Sequence, residues 1–376
     1  MTQPMADQRL GRLPRAALTI APRLLRLLPP ERAHALALAG IRAMPRLPLD
    51  VPPGLAVRCA GLELAHPLGL AAGFDKNAEA LHGLIRLGFA FVEAGGVTPR
   101  PQPGNPRPRV FRLTGDGAII NRLGFNNDGL DRFIARLEQR PATALARGLG
   151  TGPARGIVGA NLGINKDCTD PAQDYALATS RLLPCVDFVT VNISSPNTKG
   201  LRDLQERRAL EQVIDAVAGA RARHLAGGGT WRPIFVKVAP DLDELAALAI
   251  VDAAIDKGVE GLIVSNSTIA RPPGLRSAEQ HESGGLSGRP LMTPSTKLLG
   301  LMARHAGGRL AFIGVGGIAS GADAYTKVLN GASALQLYTA LVYQGPLVVQ
   351  RILDELALCL ARDGVADIGA AIGGGL

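Results

Sequence analysis

The residues best placed to do chemistry are two lysines in a chain that otherwise prefers arginine. Of 41 basic residues only seven are lysine, and Lys76 and Lys237 stand at the ends of the apolar stretches AAGFDKN (71–77) and VKVAPD (236–241). An unpaired charge at such a place is costly to bury. Either an ion pair with Asp75 or Asp241, or an anionic ligand, would account for them. At the ends of comparable apolar runs stand Thr98, Asn161, Asn192, Ser194-Ser195-Pro196-Asn197, Ser265-Asn266-Ser267, Gly316-Gly317 and Tyr338-Thr339. Neutral amides and hydroxyls dominate, with few acids or histidines. Such a set suits a planar, hydrogen-bonding, anionic ligand better than metal-assisted hydrolysis. The glycines of GVGGI (314–318) precede a helix start at Ser320 and would let backbone N–H groups approach a phosphate. Packing glycines would look the same. The pattern is not GxGxxG, so a dinucleotide fold is unsupported. Ser195 has no histidine beside it and no GxSxG elbow, which argues against a hydrolase triad.

These residues must be held by regular elements. From about residue 65, short apolar runs alternate with longer amphipathic stretches. The runs are 67–72, 90–95, 156–163, 187–194, 233–240, 261–267, 310–317 and 333–339. They are near-continuously apolar, as expected for parallel strands covered on both faces. Helices are expected at 77–87, 128–147, 173–184, 206–226, 243–257, 294–306, 320–331 and 345–363. Eight strands and eight helices in strict alternation point to a (β/α)8 TIM barrel, with a doubly wound open sheet as the alternative. In a barrel every residue named above falls at the C-terminal ends of strands, where such folds carry their chemistry. Two long insertions, 98–113 and 268–293, are expected to be functional loops.

The chain has 376 residues, 47% of them hydrophobic and 19% charged, which excludes wholesale disorder. No window offers the ~18 apolar residues of a membrane span. Cys59, Cys168, Cys185 and Cys359 lack CxxC spacing and the six histidines lack HxxxH, so no metal site or disulfide framework is expected. Residues 1–50 hold eight arginines against three acids, a net +5 of the chain's +9. Aromatics are only 4%, so a nucleic-acid groove is not expected. Two short helices, 15–28 and 30–44, separated by Pro29-Pro30, would place Leu18, Ile20, Leu24, Leu25, Leu27 and Leu28 among arginines. Such a pair can pack on a barrel or lie in an anionic membrane interface. The organisation expected is a helical segment 1–50, a barrel 51–363 and a frayed tail 364–376.

AAGFDKN (71–77), TPRPQPGNPRPR (98–109), INRLGFNN (120–127), NLGINKD (161–167), VNISSPNTKGLR (191–202), VKVAPD (236–241), GGLSGRP (284–290) and IGVGGI (313–318), in this order, resemble dihydroorotate dehydrogenases. The likeness covers roughly 30–360 and is to the membrane-associated, quinone-dependent class 2, on two grounds. PERAH (30–34) resembles the start of that class's helical extension, and Ser195 stands where soluble class 1 enzymes carry cysteine.

The resemblance implies an FMN-dependent barrel that oxidises dihydroorotate to orotate in pyrimidine synthesis. It implies ubiquinone as electron acceptor, a monomer, and peripheral attachment to the cytoplasmic face of the inner membrane. Carried over by position, Ser195 is the catalytic base. FMN is held by Ala72, Gly73, Lys76, Gly96, Asn161 and Asn192 in the first half, then Lys237, Ser265, Gly288, Gly317, Tyr338 and Thr339. Substrate meets Lys76, the loop Asn121, Arg122, Leu123, Gly124 and Phe125, then Asn192, Asn197, Asn266 and Ser267. Gly96, Ser265 and Ser267 replace commoner threonines, and only Gly96 loses the hydroxyl. Three other readings are a soluble enzyme using fumarate or NAD, a flavin-dependent RNA reductase, and a non-catalytic membrane-docking protein.

Overall fold

The computed structural model describes residues 12–139, 156–198 and 200–376. Eight strands close a parallel barrel: β3 (Leu68–Leu70), β4 (Phe91–Val97), β7 (Ile157–Leu162), β8 (Phe188–Asn192), β9 (Ile234–Val238), β10 (Gly261–Val264), β12 (Ala311–Val315) and β13 (Ala334–Leu337). Each coincides with one of the apolar runs, and the closed ring rules out the open sheet. The second helix is seen as Leu130–Glu138; the part of its expected span from residue 140 lies outside the described residues, as do Arg9 and Lys199.

The barrel's lower interior is filled by aromatic rings lying over glycines. Gly69 pairs with Phe91, Gly159 with Phe188, and Gly261 with Phe235 across neighbouring strands. A Cβ on Gly69 would come within 2.4 Å of the Phe91 ring, and one on Gly159 within 2.1 Å of the Phe188 ring. Phe91, Phe188 and Phe235 meet edge to face at 5.6–6.2 Å, an arrangement that adds to their burial. A hairpin of β1 (Val57–Cys59) and β2 (Leu62–Leu64) caps this end, with Cys59 and Leu64 in the same cluster. Chemistry is thereby confined to the opposite mouth.

The two insertions are not independent loops. β5 (Val110–Leu113) and β6 (Ala118–Asn121) from the first pair with β11 (Gly285–Gly288) from the second in a three-stranded antiparallel sheet. Short alternating segments inside proline- and glycine-rich stretches gave no strand signal. The N-terminal helices α1 (Arg12–Leu25) and α2 (Pro30–Ala43) lie over that mouth, within a few residues of their expected bounds.

The frayed-tail expectation is corrected. Residues 364–376 carry the short helix Ile368–Ala371, capped by Asp367 accepting from Ala370 N–H at 2.9 Å. Ile368 donates its N–H to Gly54 O at 2.8 Å, and Ile368 and Ala371 are buried. A run of small residues carries little periodic signal, yet two buried apolar side chains suffice to dock it. Ile368→Ala should lower stability by about 2–4 kcal/mol in urea unfolding, the usual range for emptying such a site. A loss below about 0.5 kcal/mol, typical of surface changes, would mean the tail is not docked in solution.

Candidate active site

At the barrel's upper mouth the strand ends supply a buried polar layer. Glu93 of β4 is fully buried and accepts from Asn161 Nδ2 of β7 at 2.6 Å and from Gln336 Nε2 of β13 at 2.5 Å. Asn161 Oδ1 accepts in turn from Asn192 Nδ2 of β8 at 2.9 Å. Asn192 Oδ1 accepts from Ser194 Oγ at 2.9 Å, and Ser194 Oγ from Asn266 Nδ2 at 3.0 Å. Every donor in the row points back toward the carboxylate.

Lys237 of β9 is only 4% exposed, and its ammonium has no hydrogen-bond partner among the described residues. Burial lowers its pKa, with Glu93 opposing. Lys76 donates to Gly73 O at 2.6 Å; burial, then Arg109, bring it down to about 8 against Asp75 and Glu31. Neither lysine has the ion pair considered from sequence. Asp75 accepts from Glu79 and Ala80 N–H groups, and Asp241 pairs with Arg202. Ser195 Oγ accepts from Asn197 N–H at 3.3 Å, and Asn197 Nδ2 donates to Asn121 Oδ1 at 3.3 Å.

Of these groups the two lysines, Ser195 and the side-chain amides open on one cavity of about 1000 Å³. All the cofactor and substrate residues expected from sequence line it, apart from Arg122. The Arg122 side chain turns elsewhere: its guanidinium pairs with Glu282 at 2.6 Å and lies over the Phe111 ring at 4.5 Å. At Gly96 a Cβ would fall 2.4 Å from the Phe125 ring, so this ring takes the place a longer side chain would need. Phe125 holds a left-handed backbone (φ 51°), unusual for a bulky residue and concentrated at functional sites.

The cavity continues from the polar mouth to Leu18, Ala21 and Leu25 of α1 and to His34 and Gly40 of α2. Where it crosses from barrel to helices, Arg109, buried on the Pro-rich insertion, contacts Glu31 through Nε and Nη2 at 3.0–3.3 Å. Rings continue the link: His34 meets Phe74 at 5.0 Å and Phe74 meets Tyr338 at 5.4 Å, both edge to face. Desolvation, then Lys76, lowers His34 to about 4, so it is neutral near pH 7. Sequence reading missed Glu93, Gln336 and the Arg109–Glu31 pair. The signal available was an acid inside the otherwise apolar strand AFVEAG.

The family model for dihydroorotate dehydrogenase matches residues 54–360. The chain belongs to the dihydroorotate dehydrogenase family. It is 48% identical over 355 residues to the dihydroorotate dehydrogenase (quinone) of Xanthobacter autotrophicus, covering 93% of this chain and 96% of that one. The corresponding enzyme of Cereibacter sphaeroides is 48% identical over 366 residues, 96% of this chain and 98% of its own. The crystal structure of the Eimeria tenella enzyme in complex with ferulenol superposes with a TM-score of 0.87 at 41% identity, covering 95% of this chain and 99% of that one. A ligand-free form gives 0.85 at 43%, covering 92% and 99%.

Dihydroorotate dehydrogenases are flavin-dependent oxidoreductases, and the mouth fits a flavin. Among the described residues Gln336 Oε1 is buried without a partner and Lys237 Nζ makes no hydrogen bond, so the floor offers one acceptor and one donor to a ring edge bearing both N–H and C=O groups. Gly317 (φ 84°) lies so close to Met292 that a Cβ would fall 2.5 Å from its Cα, which leaves this turn open only to a residue without a side chain.

Because Glu31 is the carboxylate that meets Arg109, removing it leaves a buried guanidinium held only by the carbonyls of Pro103 and Asn105 among the described residues. Glu31→Ala should cost about 1–3 kcal/mol, less than a fully buried pair because Glu31 is partly exposed. Protease cleavage within residues 12–50 should speed up while the barrel stays resistant. Unchanged cleavage would show that the pair does not hold the helices.

Proposed function

We propose that this chain oxidises dihydroorotate to orotate in pyrimidine synthesis, with FMN as cofactor and a quinone, ubiquinone, as final acceptor. One observation carries the reading: a single cavity joins an amide-lined barrel mouth holding Ser195 to an apolar passage between two N-terminal helices. A polar, carboxylated ring and an apolar quinone need opposite surroundings, and the two ends of this cavity provide them.

Lys76 is the cation for the substrate carboxylate; burial and Arg109 lower its pKa, and an anion beside it would raise it again. Asn121, Asn192, Asn197 and Asn266 supply donors and acceptors for the ring edge. The proton on the carbon beside the substrate carbonyl is taken at Ser195 Oγ, which Asn197 N–H holds in place. A hydroxyl is a weak base, so this proton must pass onward as it is taken. Lys237 and the Gly317 turn would hold FMN, which when bound would supply the acceptor for the hydride leaving the neighbouring carbon, with a quinone as the final electron acceptor. Phe125 and the aromatic layer below keep water from the strand ends.

The passage opens beside exposed Ile20, Leu24, Leu27 and Leu36, with Arg23 and Arg32 exposed among them. No helix among the described residues is long and apolar enough to cross a membrane. Apolar side chains ringed by arginine suit a helix pair lying in an anionic interface, here the cytoplasmic face of the inner membrane. Residues 1–50 thus act as an access segment.

Ser195→Ala should retain flavin and slow dihydroorotate-dependent bleaching of the bound flavin by about 10²–10⁴-fold, the usual worth of a positioned base. Stopped-flow absorbance measures it, and a rate within assay scatter of the unsubstituted protein would remove Ser195 from the role. Deleting residues 1–45 should release the protein from anionic liposomes and sharply reduce turnover with a long-chain quinone. Each arginine at such a surface contributes about 1 kcal/mol, so attachment should weaken as salt rises. Bleaching by dihydroorotate should survive, since every proposed flavin and substrate contact follows residue 70. Full quinone turnover after the deletion would leave the helices a packed appendage.

A further inference from the structure

Lys327 lies in the helix Gly321–Leu329 and is 0% exposed. Its stem runs beside β12, where Gly314 leaves room: a Cβ there would sit 3.3 Å from both Cβ and Cδ of the lysine. Its ammonium donates to Ser295 Oγ at 2.5 Å and to Val315 O at 3.4 Å. No carboxylate among the described residues forms an ion pair with it; its contacts are these two oxygens. Asp323, on its own helix, is felt through space but is occupied by Ala319 N–H and Ser320 Oγ. A buried ammonium held only by neutral oxygens is costly, and its retention asks for a counter-charge.

The surroundings say where that charge belongs. Ser295 Oγ donates to Leu291 O at 2.6 Å and lies 3.2 Å from Gly316 O. Lys327 and Ser295 therefore pin the Gly316–Gly317 turn to the start of the helix Met292–Ala306, with the positive charge behind the turn. Gly316, Gly317 and Leu291 line the cavity on the other side. An anion on that face would complete the buried charge, while an uncharged ligand would leave it unmatched.

We propose that Lys327 is the positioning residue of the cofactor's phosphate cradle, fixing the Gly316–Gly317 turn through Ser295 and Val315 and favouring a flavin phosphate monoester over an unphosphorylated flavin. The inference rests on the flavin reading above. Lysine here signals its role only once folded, because the sequence places it mid-helix rather than at a strand end. Burial keeps its pKa down, to about 7, against Asp323, and a dianion beyond the turn would raise it again.

The test is a fluorescence titration of the full-length chain with FMN and with riboflavin, which has the same ring without the phosphate. Lys327→Met keeps the stem and removes the charge. FMN should bind about ten- to hundredfold more weakly, the range for losing one charge-assisted interaction, while riboflavin changes little. Ser295→Ala, which leaves the lysine but cuts its link to the turn, should weaken FMN selectively in the same direction, and it carries the test if Lys327→Met does not fold. Equal losses for both flavins, or none for either, would overturn the role of Lys327. If the unsubstituted chain binds neither flavin, the flavin reading itself falls and this inference falls with it.

Discussion

A buried carboxylate organises the mouth of this barrel. Glu93 sits inside β4 with no solvent exposure, so it must be met by donors. It is met from both sides, by Gln336 of β13 and Asn161 of β7. Once Asn161 commits its N–H to Glu93, its carbonyl must face Asn192, and the direction of every later bond follows out to Asn266. Amides, which could otherwise present either end, are thereby fixed in a low-dielectric interior where aligned hydrogen bonds reinforce one another. Two of the groups proposed to read the substrate ring, Asn192 and Asn266, belong to this row, and Lys237 is drawn to the same carboxylate through space.

The row could not stay rigid over a loose floor. The glycine–phenylalanine pairs below it let strands approach while filling the interior with rings, so the polar layer rests on a close-packed one. Above it, Arg109 and Glu31 tie the insertion to α2. Between floor and lid the cavity passes from amide to aliphatic walls, which lets one enclosure serve ligands of opposite polarity. The antiparallel sheet of β5, β6 and β11 explains why both insertions are long: each must reach across the mouth to meet the other.

Much of this was legible in the sequence, for physical reasons that differ by element. Parallel strands covered on both faces read as apolar runs, so all eight were visible, and their polar ends could be collected as one site. The Glu93 row was not visible, because an acid in an apolar run looks the same whether it faces the interior or a neighbouring helix. Arg122 was placed by its position in a loop, but a long side chain beside a carboxylate and a ring follows those partners, and Glu282 lies 160 residues away in sequence. The tail at 364–376 failed for the opposite reason: glycine and alanine advertise nothing, and its docking depends on Gly54, more than three hundred residues away.

Three buried lysines share one electrostatic condition. Lys76, Lys237 and Lys327 all have their pKa values lowered chiefly by burial, and none forms an ion pair among the described residues. Each adjoins a different part of the cavity: the mouth, the floor, and the glycine turn. A protein stabilised by internal pairing alone would gain nothing from three such charges, since each costs desolvation without a matched partner. On the proposed reading they would become favourable when anionic or electron-rich groups occupy the cavity that Lys76 and Lys237 line and that Lys327 faces from behind the turn. Ligand binding would then return free energy that folding spent on them, and a loaded protein would be stabilised by mass action over an empty one. The chemistry proposed for this site and the stability of the barrel that carries it are thus coupled through the same three cations.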